Sequence, residues 1–349
     1  MKIKNLRKFI LLYGCLSIMF LFAGCSSWTE PESEKINNPG IETQNPELYE
    51  EYLSNLREYR NTNHKTTIAW FDNSCKFPIN QSQHVSALPD SLDYVSLMYP
   101  DNLSEDELNE IAMIREKKGM KVIFTIDFDN IKLKYDTWIN DLMQNEETID
   151  EPENFNLFLL DTVKSSLALV DKYNYDGICV SYNGKPKLYM SQSDKIKYSG
   201  YENAFLGIAE DWHARNMNKI MIFKGKPQNV INQEIFENCL FIVIPCLDVV
   251  STSGMTYNLV SACSEGVPPD RFIPLLATNS IDESDKKTGY WENGINAIDG
   301  ASSWLVKLHS GFTISGMAFY NSGNDYYNPS YTYNHIRNAI ATINPSVKK

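Results

Sequence analysis

The sequence predicts an α/β fold in which eight parallel strands close into a (β/α)8 barrel of the TIM type. Three observations point there. Eight short apolar runs recur between Thr66 and Tyr320, and continuous apolar runs mark strands buried on both faces, as in a parallel sheet. Segments with helical periodicity separate most of the runs. The chain has 349 residues, which accommodates a barrel of about 250 residues with insertions. A doubly wound open sheet is the competing arrangement, but no glycine-rich phosphate loop follows an early strand. No linker divides Thr66 to Asn344, so residues 46–349 are expected to form one domain.

Taken in order, Met1 to Lys8 carries Lys2, Lys4, Arg7 and Lys8 without an acid, and Phe9 to Ala23 is almost wholly apolar. A short charged start before such a stretch reads as a signal peptide, here residues 1–24, and not as a spanning helix. The run Leu21-Phe22-Ala23-Gly24-Cys25 resembles the lipobox of bacterial lipoproteins. That resemblance implies a lipid on Cys25 that holds the mature protein on a membrane. Residues 25–45 are polar and acidic, a composition that reads as a flexible tether. The tether also resembles the acidic export signals of Bacteroides-group lipoproteins, which implies an outer-membrane lipoprotein exposed at the cell surface.

An amphipathic helix follows over Pro46 to Arg60, with Leu48, Tyr52, Leu56 and Tyr59 at helical spacing. Strand one is expected over Thr66 to Asn73 and strand two over Tyr94 to Pro100. A helix over Ser104 to Lys118 starts with a capping-box pattern and meets Gly119 at its end. Strand three covers Lys121 to Asp129, and a long helix from Asn154 to Lys172 precedes strand four, Asp176 to Asn183. The remaining strands are Ile220 to Lys224, Leu240 to Leu247, Phe272 to Asn279 and Ile314 to Tyr320. Asn130 to Glu153 and Gly184 to Lys197 are poor in helical signal. They are expected as insertions after strands three and four, on the barrel face where function sits.

Composition excludes several functions. The formal charge is -12, and loss of the four basic residues of the signal takes it to −16, which disfavours nucleic acid as a partner. Five cysteines remain in the mature chain, Cys75, Cys179, Cys239, Cys246 and Cys263. An odd number without paired spacing forms neither a disulfide framework nor a zinc site. All but Cys75 lie in apolar contexts and read as small buried hydrophobes. The five histidines are scattered, so no metal or cofactor is called for. Aromatic residues reach 12%, which leaves flat faces to place at a surface.

Strand four carries the chemistry. Tyr175-Asp176-Gly177-Ile178-Cys179-Val180-Ser181-Tyr182-Asn183 resembles the D-G-x-D-x-D-x-E strand of family 18 glycoside hydrolases, the chitinases and endo-β-N-acetylglucosaminidases. With the lipoprotein signal, the chain looks like a divergent member from glycan-utilisation loci of Bacteroides-type bacteria. Asp176 and Gly177 match the pattern. Cys179, Ser181 and Asn183 stand where it has Asp, Asp and Glu. In that family the Glu protonates the glycosidic oxygen and the third Asp orients the substrate's acetamido group, which attacks the anomeric carbon. A carboxamide has no transferable proton, and general acid catalysis is worth ~10²–10⁴-fold. The resemblance therefore implies an oligosaccharide-binding protein on an inactive scaffold, with GlcNAc-containing, N-glycan-type ligands and glycan-uptake proteins as partners.

Trp70, Tyr99, Asp127, Tyr182, Asn183, Lys224, Asn279, Trp291 and Tyr320 are the candidate glycan contacts, chosen because they lie at C-terminal strand ends or in the loops above. Aromatic faces suit sugar CH surfaces and polar groups suit hydroxyls. Trp138, Tyr189, Tyr198, Tyr290, Tyr326 and Tyr327 are candidates for a stacking rim. Two rivals stand beside this reading. One is an active glycosidase with relocated carboxylates such as Asp127, Asp129, Asp248 or Glu292. The other is a scaffold that touches only proteins.

Overall fold

A computed structural model describes residues 41–144 and 154–345. The expected signal peptide, Cys25, the tether as far as residue 40 and residues 145–153 of the first insertion lie outside the described residues. The chain divides into two compact units, Met1–Glu51 and Tyr52–Lys349. Described residues of the first form a short helix, Ile41–Gln44, and the start of α1 (Pro46–Tyr59).

The second unit contains all eight strands: β1 (Thr66–Phe71), β2 (Tyr94–Leu97), β3 (Lys121–Asp127), β4 (Gly177–Tyr182), β5 (Ile220–Gly225), β6 (Phe241–Pro245), β7 (Phe272–Ala277) and β8 (Gly316–Tyr320). Neighbours pair in parallel and in chain order, and β1 closes on β8 from Thr66↔Gly316 to Ala69↔Phe319. The predicted barrel is thus formed. Six of the strands stop short of the end of their apolar runs because the last residues leave the ladder, whereas β5 runs one residue further, to Gly225, and β8 ends at Tyr320 as expected.

Helix α2 (Glu105–Glu116) begins at Ser104 with the expected capping box, in which Ser104 and Glu107 each bond the other's backbone N–H. The helix-poor insertion expected at Asn130 is not what forms. Helix α3 (Phe128–Gln144) starts directly after β3. Its stripe of Phe128, Ile131 and Tyr135 has helical spacing, obscured in the sequence by the charges between. Helix α4 (Phe155–Lys172) follows as predicted, capped by the Asn154 side chain. The second insertion also holds a helix, α5 (Gln192–Glu202), started by a Ser191–Asp194 capping box. A π-turn, Asn203–Gly207, joins it to α6 (Ile208–Arg215). Helices α7 (Thr252–Ala262), α8 (Ala297–Leu305) and α9 (Asn334–Ile343) complete the outer layer. Between β1 and β2 the described chain makes only two 3₁₀ turns, Gln81–Gln83 and Val85–Ala87.

Alternation along the strands gives two cores. Ile68, Trp70, Ile123, Cys179, Ile222 and Val243 fill the barrel, while Phe71, Phe124, Ile178, Val180 and Tyr182 pack under the helices. All five cysteines of this unit are free, and three are fully buried. Cys263, expected inside, is partly exposed at the end of α7, where its thiol donates to the Leu259 carbonyl at 3.3 Å.

Candidate functional site

The strand-four pattern splits into two parts with different jobs. Asp176 lies at the N-terminal end of β4, away from the loops. One carboxylate oxygen accepts the Val122 N–H at 2.8 Å and the other pairs with Arg115 at 2.9 Å. A side-chain carbon on Gly177 would lie 2.1 Å from the Ile220 carbonyl oxygen, so the β4–β5 contact admits only glycine. These two residues pin β4 between β3 and β5 and take no part in chemistry at the other end of the barrel.

The other part faces inward and upward. Cys179 is fully buried in the barrel core, and burial pushes its thiol up to about 12, so it is protonated and unreactive. Ser181, the next inward position, pairs in register with Asp127 of β3 and Lys224 of β5. Lys224 Nζ lies 3.5 Å from Asp127 Oδ2, a loose ion pair on either side of Ser181. Asn183 sits just past the strand. Its Nδ2 donates to Asp129 Oδ2 at 2.8 Å, and its backbone carbonyl accepts from Asn229 Nδ2 at 2.7 Å. The amide is therefore oriented, with Oδ1 and its second N–H available to sugar hydroxyls. Nothing in the sequence singles out Asn229 except its position five residues beyond Lys224.

Tyr320 and Tyr99 join this group. Burial raises the Tyr320 phenol, and the nearby Asp127, Asp72 and Tyr99 raise it further, so it remains a neutral donor. Tyr99 is 49% exposed. Its backbone is held on both sides by the Asn73 amide, at 2.9 and 2.8 Å, which leaves the ring standing at the rim.

Several predicted contacts lie elsewhere. Tyr182 is fully buried on the outside of the barrel, edge-on to Phe128 at 5.0 Å, because strand alternation turns it away from Ser181 and Asn183. It cannot touch a glycan. Trp70 is 1% exposed and its Nε1 donates to Thr125 Oγ1 at 2.9 Å; it fills the barrel beneath the mouth. The Asn279 side chain accepts from Asn296 Nδ2 at 2.6 Å and so holds a loop. Trp291 is 6% exposed and packs on Gly300, where a side-chain carbon would lie 2.5 Å from its ring. Trp138 stacks on Phe158 at 6.0 Å and belongs to α3, not to a loop. Tyr198 packs against Tyr201, whereas Tyr189 is 72% exposed. Tyr290 and Tyr326 are partly buried, and exposed Tyr327 bonds Ser82 and Asn80.

Of the carboxylates considered as relocated catalysts, Asp127 is committed to Lys224 and Asp129 to Asn183. Asp248 and Glu292 are exposed on the loops after β6 and β7. Among the described residues no His, Cys, Asp or Glu side chains gather in threes to hold a metal ion. A cavity of about 1210 Å³ opens at the opposite end of the barrel, lined by Tyr59, His64, Thr66, Ser91, Phe241 and Ile314 among others. It lies at the strand starts, at the end of the barrel opposite Asn183, Lys224 and Tyr320.

The barrel architecture agrees with the comparisons. No curated protein matches the chain. A selenomethionine form of BT1044 with one Glu changed to Gln superimposes with TM-score 0.60 at 20% identity, over 87% of this chain and 95% of that one. The endo-β-N-acetylglucosaminidase from Cordyceps militaris superimposes with TM-score 0.56 at 14% identity, over 84% and 95% of the two chains. A form of that enzyme with an Asp and a Glu changed to their amides, in complex with fucosyl-N-acetylglucosamine-Asn, gives TM-score 0.54 at 15% identity over the same shares. At such identities the likeness is one of fold. The family model for glycoside hydrolase family 18, BT1044-like, matches residues 29–342, and the chain therefore belongs to that family.

Proposed function

We propose that this chain binds glycans on a hydrolase scaffold and leaves them uncut. The observation that carries the reading is Asn183. An amide stands at the position of the proton donor and is aimed by Asp129, while Asn229 holds the Asn183 backbone. It can hydrogen-bond a sugar oxygen but has no proton to transfer to it. Lys224 adds to this. An ammonium in register with Ser181 opposes the positive charge that develops at the anomeric carbon during cleavage, whereas a carboxylate would stabilise it. Tyr99 and Tyr320 supply a stacking face and a neutral donor.

The ligand class follows from family membership and from the amide-substituted endoglycosidase that holds fucosyl-N-acetylglucosamine-Asn. We read it as a GlcNAc-containing, N-glycan-type oligosaccharide. The leader sequence supports attachment through a lipid on Cys25 to the outer membrane, facing the cell exterior, where glycan-uptake proteins are the partners in reach.

The test uses the chain from Ser26 onward with a high-mannose N-glycan carrying its chitobiose core. Titration calorimetry is expected to show binding, and mass spectrometry no released sugar. Asn183→Ala should weaken binding about tenfold, the equivalent of one net hydrogen bond of ~1.4 kcal/mol. Protein-dependent release of sugar would replace this reading with that of an active glycosidase.

A further inference from the structure

We infer that Asn183 and Gly184 form a self-modification site, where the amide turns spontaneously into a carboxylate, and that Asp129 holds this conversion back. The sequence has two Asn-Gly pairs, Asn183-Gly184 and Asn293-Gly294. In such a pair no side chain shields the peptide nitrogen from the amide before it. The Gly184 nitrogen attacks Cγ of Asn183 and gives its proton to solvent. The Cγ–Nδ2 bond then breaks, and Nδ2 leaves as ammonia, taking a proton back. Water opens the cyclic imide and leaves Asp or its isoaspartyl isomer. The net change is amide and water to carboxylate and ammonium, with nothing oxidised or reduced.

The fold restrains the two pairs at different atoms. At Asn293 the nucleophile is occupied, because the Gly294 N–H donates to the Trp291 carbonyl at 2.8 Å. The Gly184 N–H has no hydrogen-bond partner among the described residues, and Asn183 is partly exposed, so water reaches it. The glycine itself is required. Gly184 has φ +58°, and a side-chain carbon there would lie 2.9 Å from the ring of fully buried Tyr182, so the turn out of β4 admits only glycine. The Asn183 carbonyl belongs to the same peptide as the Gly184 N–H and is held by Asn229 Nδ2 at 2.7 Å. With that peptide fixed, the amide side chain is the part that must move.

Asp129 acts on that part in three ways. Its Oδ2 accepts from Asn183 Nδ2 at 2.8 Å, a bond to a charged group that must break before Cγ can swing to the nitrogen. The same bond feeds electron density into the amide and makes Cγ a poorer electrophile. Negative charge grows on Oδ1 as the nitrogen attacks, and a carboxylate alongside opposes it. The product would set a second carboxylate against Asp129, and two acids so close share a proton. Position 183 would then regain the proton that its amide lacks. By keeping the amide intact, Asp129 keeps the site one that binds without cutting. That consequence rests on the proposed function, whereas the conversion itself does not.

In the test, the chain from Ser26 onward and its Asp129→Ala variant are incubated at mildly alkaline pH below their melting transitions, and the parent also in urea. Peptides released at acid pH are weighed for replacement of NH2 by OH at Asn183 and Asn293. In urea both asparagines should convert at similar rates. Asn183 of the folded parent should convert about tenfold more slowly than in urea, and Asp129→Ala should remove that factor, the worth of one hydrogen bond to a charged group. Asn293 should be unaffected by the substitution. Asp129 is exposed at the start of α3, so Asp129→Ala is expected to melt close to the parent. Asp129→Asn, which keeps an acceptor and drops the charge, should fall between the two. An Asn183 rate in folded Asp129→Ala equal to the parent's would overturn the role of Asp129, and an Asn183 that stays intact in urea would overturn the modification site. The glycan affinity left in Asp129→Ala should decline in step with conversion. Conversion at the expected rates in a chain whose fresh parent binds no glycan would overturn the proposed function and leave the guarded amide standing.

Discussion

Gly177 and Cys179 lie two residues apart on β4 and answer to different constraints. At Gly177 the limit is steric, since any side chain meets the Ile220 carbonyl at 2.1 Å. Backbone cannot move aside as a side-chain tip can. Gly177→Ala should cost about 1–3 kcal/mol or more, as overpacking of a closed core does; a melting curve indistinguishable from the parent's would refute this. At Cys179 the limit is electrostatic, because burial keeps the thiol protonated with its value raised to about 12. Cys239 is buried too, its thiol raised by the same cause, and Cys246 is held up to about 12. Alkylation of the native protein with iodoacetamide at neutral pH should therefore modify Cys75, which is partly exposed, and leave these three intact until the fold is opened. Mass spectrometry of the digested protein reads the pattern directly. The same burial explains the resemblance on β4: residues that hold strands together match the family pattern, and residues that would do its chemistry do not.

At the scale of elements, the end of α1 is fastened to the barrel by a small polar cluster. Arg60 donates to the carbonyls of Asp90 and Leu92 at 2.6 and 2.5 Å. Tyr59 lies against His64 with ring centres 4.4 Å apart. His64 bonds Asp93 through Nε2 and the Thr62 carbonyl through Nδ1, both at 2.9 Å. Both partners only accept, so the bonds require the imidazolium. The Asp93 hydrogen bond is the main cause raising His64 above its ordinary 6.5, with burial and, less strongly, Arg60 acting the other way. His335 is raised in the same manner by Asp299. A histidine raised on folding lends its stability in full below about pH 6.5 and loses it as pH climbs through the folded value. The melting temperature should accordingly fall as pH rises above 6.5, and the fall should shrink in His64→Gln. An equal slope in that variant would show that His64 does not hold α1. Element by element, the sequence was most legible where a single period dominates. The eight apolar runs and the capped helices α2 and α4 are visible because nothing competes with their pattern. Helix α3 was hidden because its apolar stripe is interleaved with Lys and Asp, and α5 because its capping box precedes a polar surface helix. For the site, Asn183 and Lys224 could be placed from strand position alone. The outward turn of Tyr182 follows from the same placement, because strand alternation turns the residue between inward Ser181 and Asn183 to the other face, a phase that nearness to the strand end does not encode.

Across the whole molecule the barrel separates two kinds of work by its two ends. The strand starts carry the fastenings, Asp176 with Arg115 and Val122, and Asp93 with His64 and Thr67. The strand ends carry oriented polar groups around Asn183. A six-residue strand such as β4 spans roughly 17–20 Å, far enough that substitutions at opposite ends should act additively. Asp93 is buried, and its Oδ2 accepts both the N–H and the hydroxyl of Thr67, at 2.8 and 3.0 Å. Asp93→Ala would strand a buried N–H and an imidazolium together, at a cost of about 3–5 kcal/mol, comparable to breaking a buried ion pair. Its affinity for the glycan should stay within twofold of the parent's at temperatures where it remains folded. Asn183→Ala should do the reverse, weakening the ligand while the melting temperature holds. The double variant should show both losses and no more. A glycan affinity that collapses in Asp93→Ala below its melting transition would mean that the two ends are coupled through the strands, and that the mouth is shaped by packing at the opposite end of the barrel.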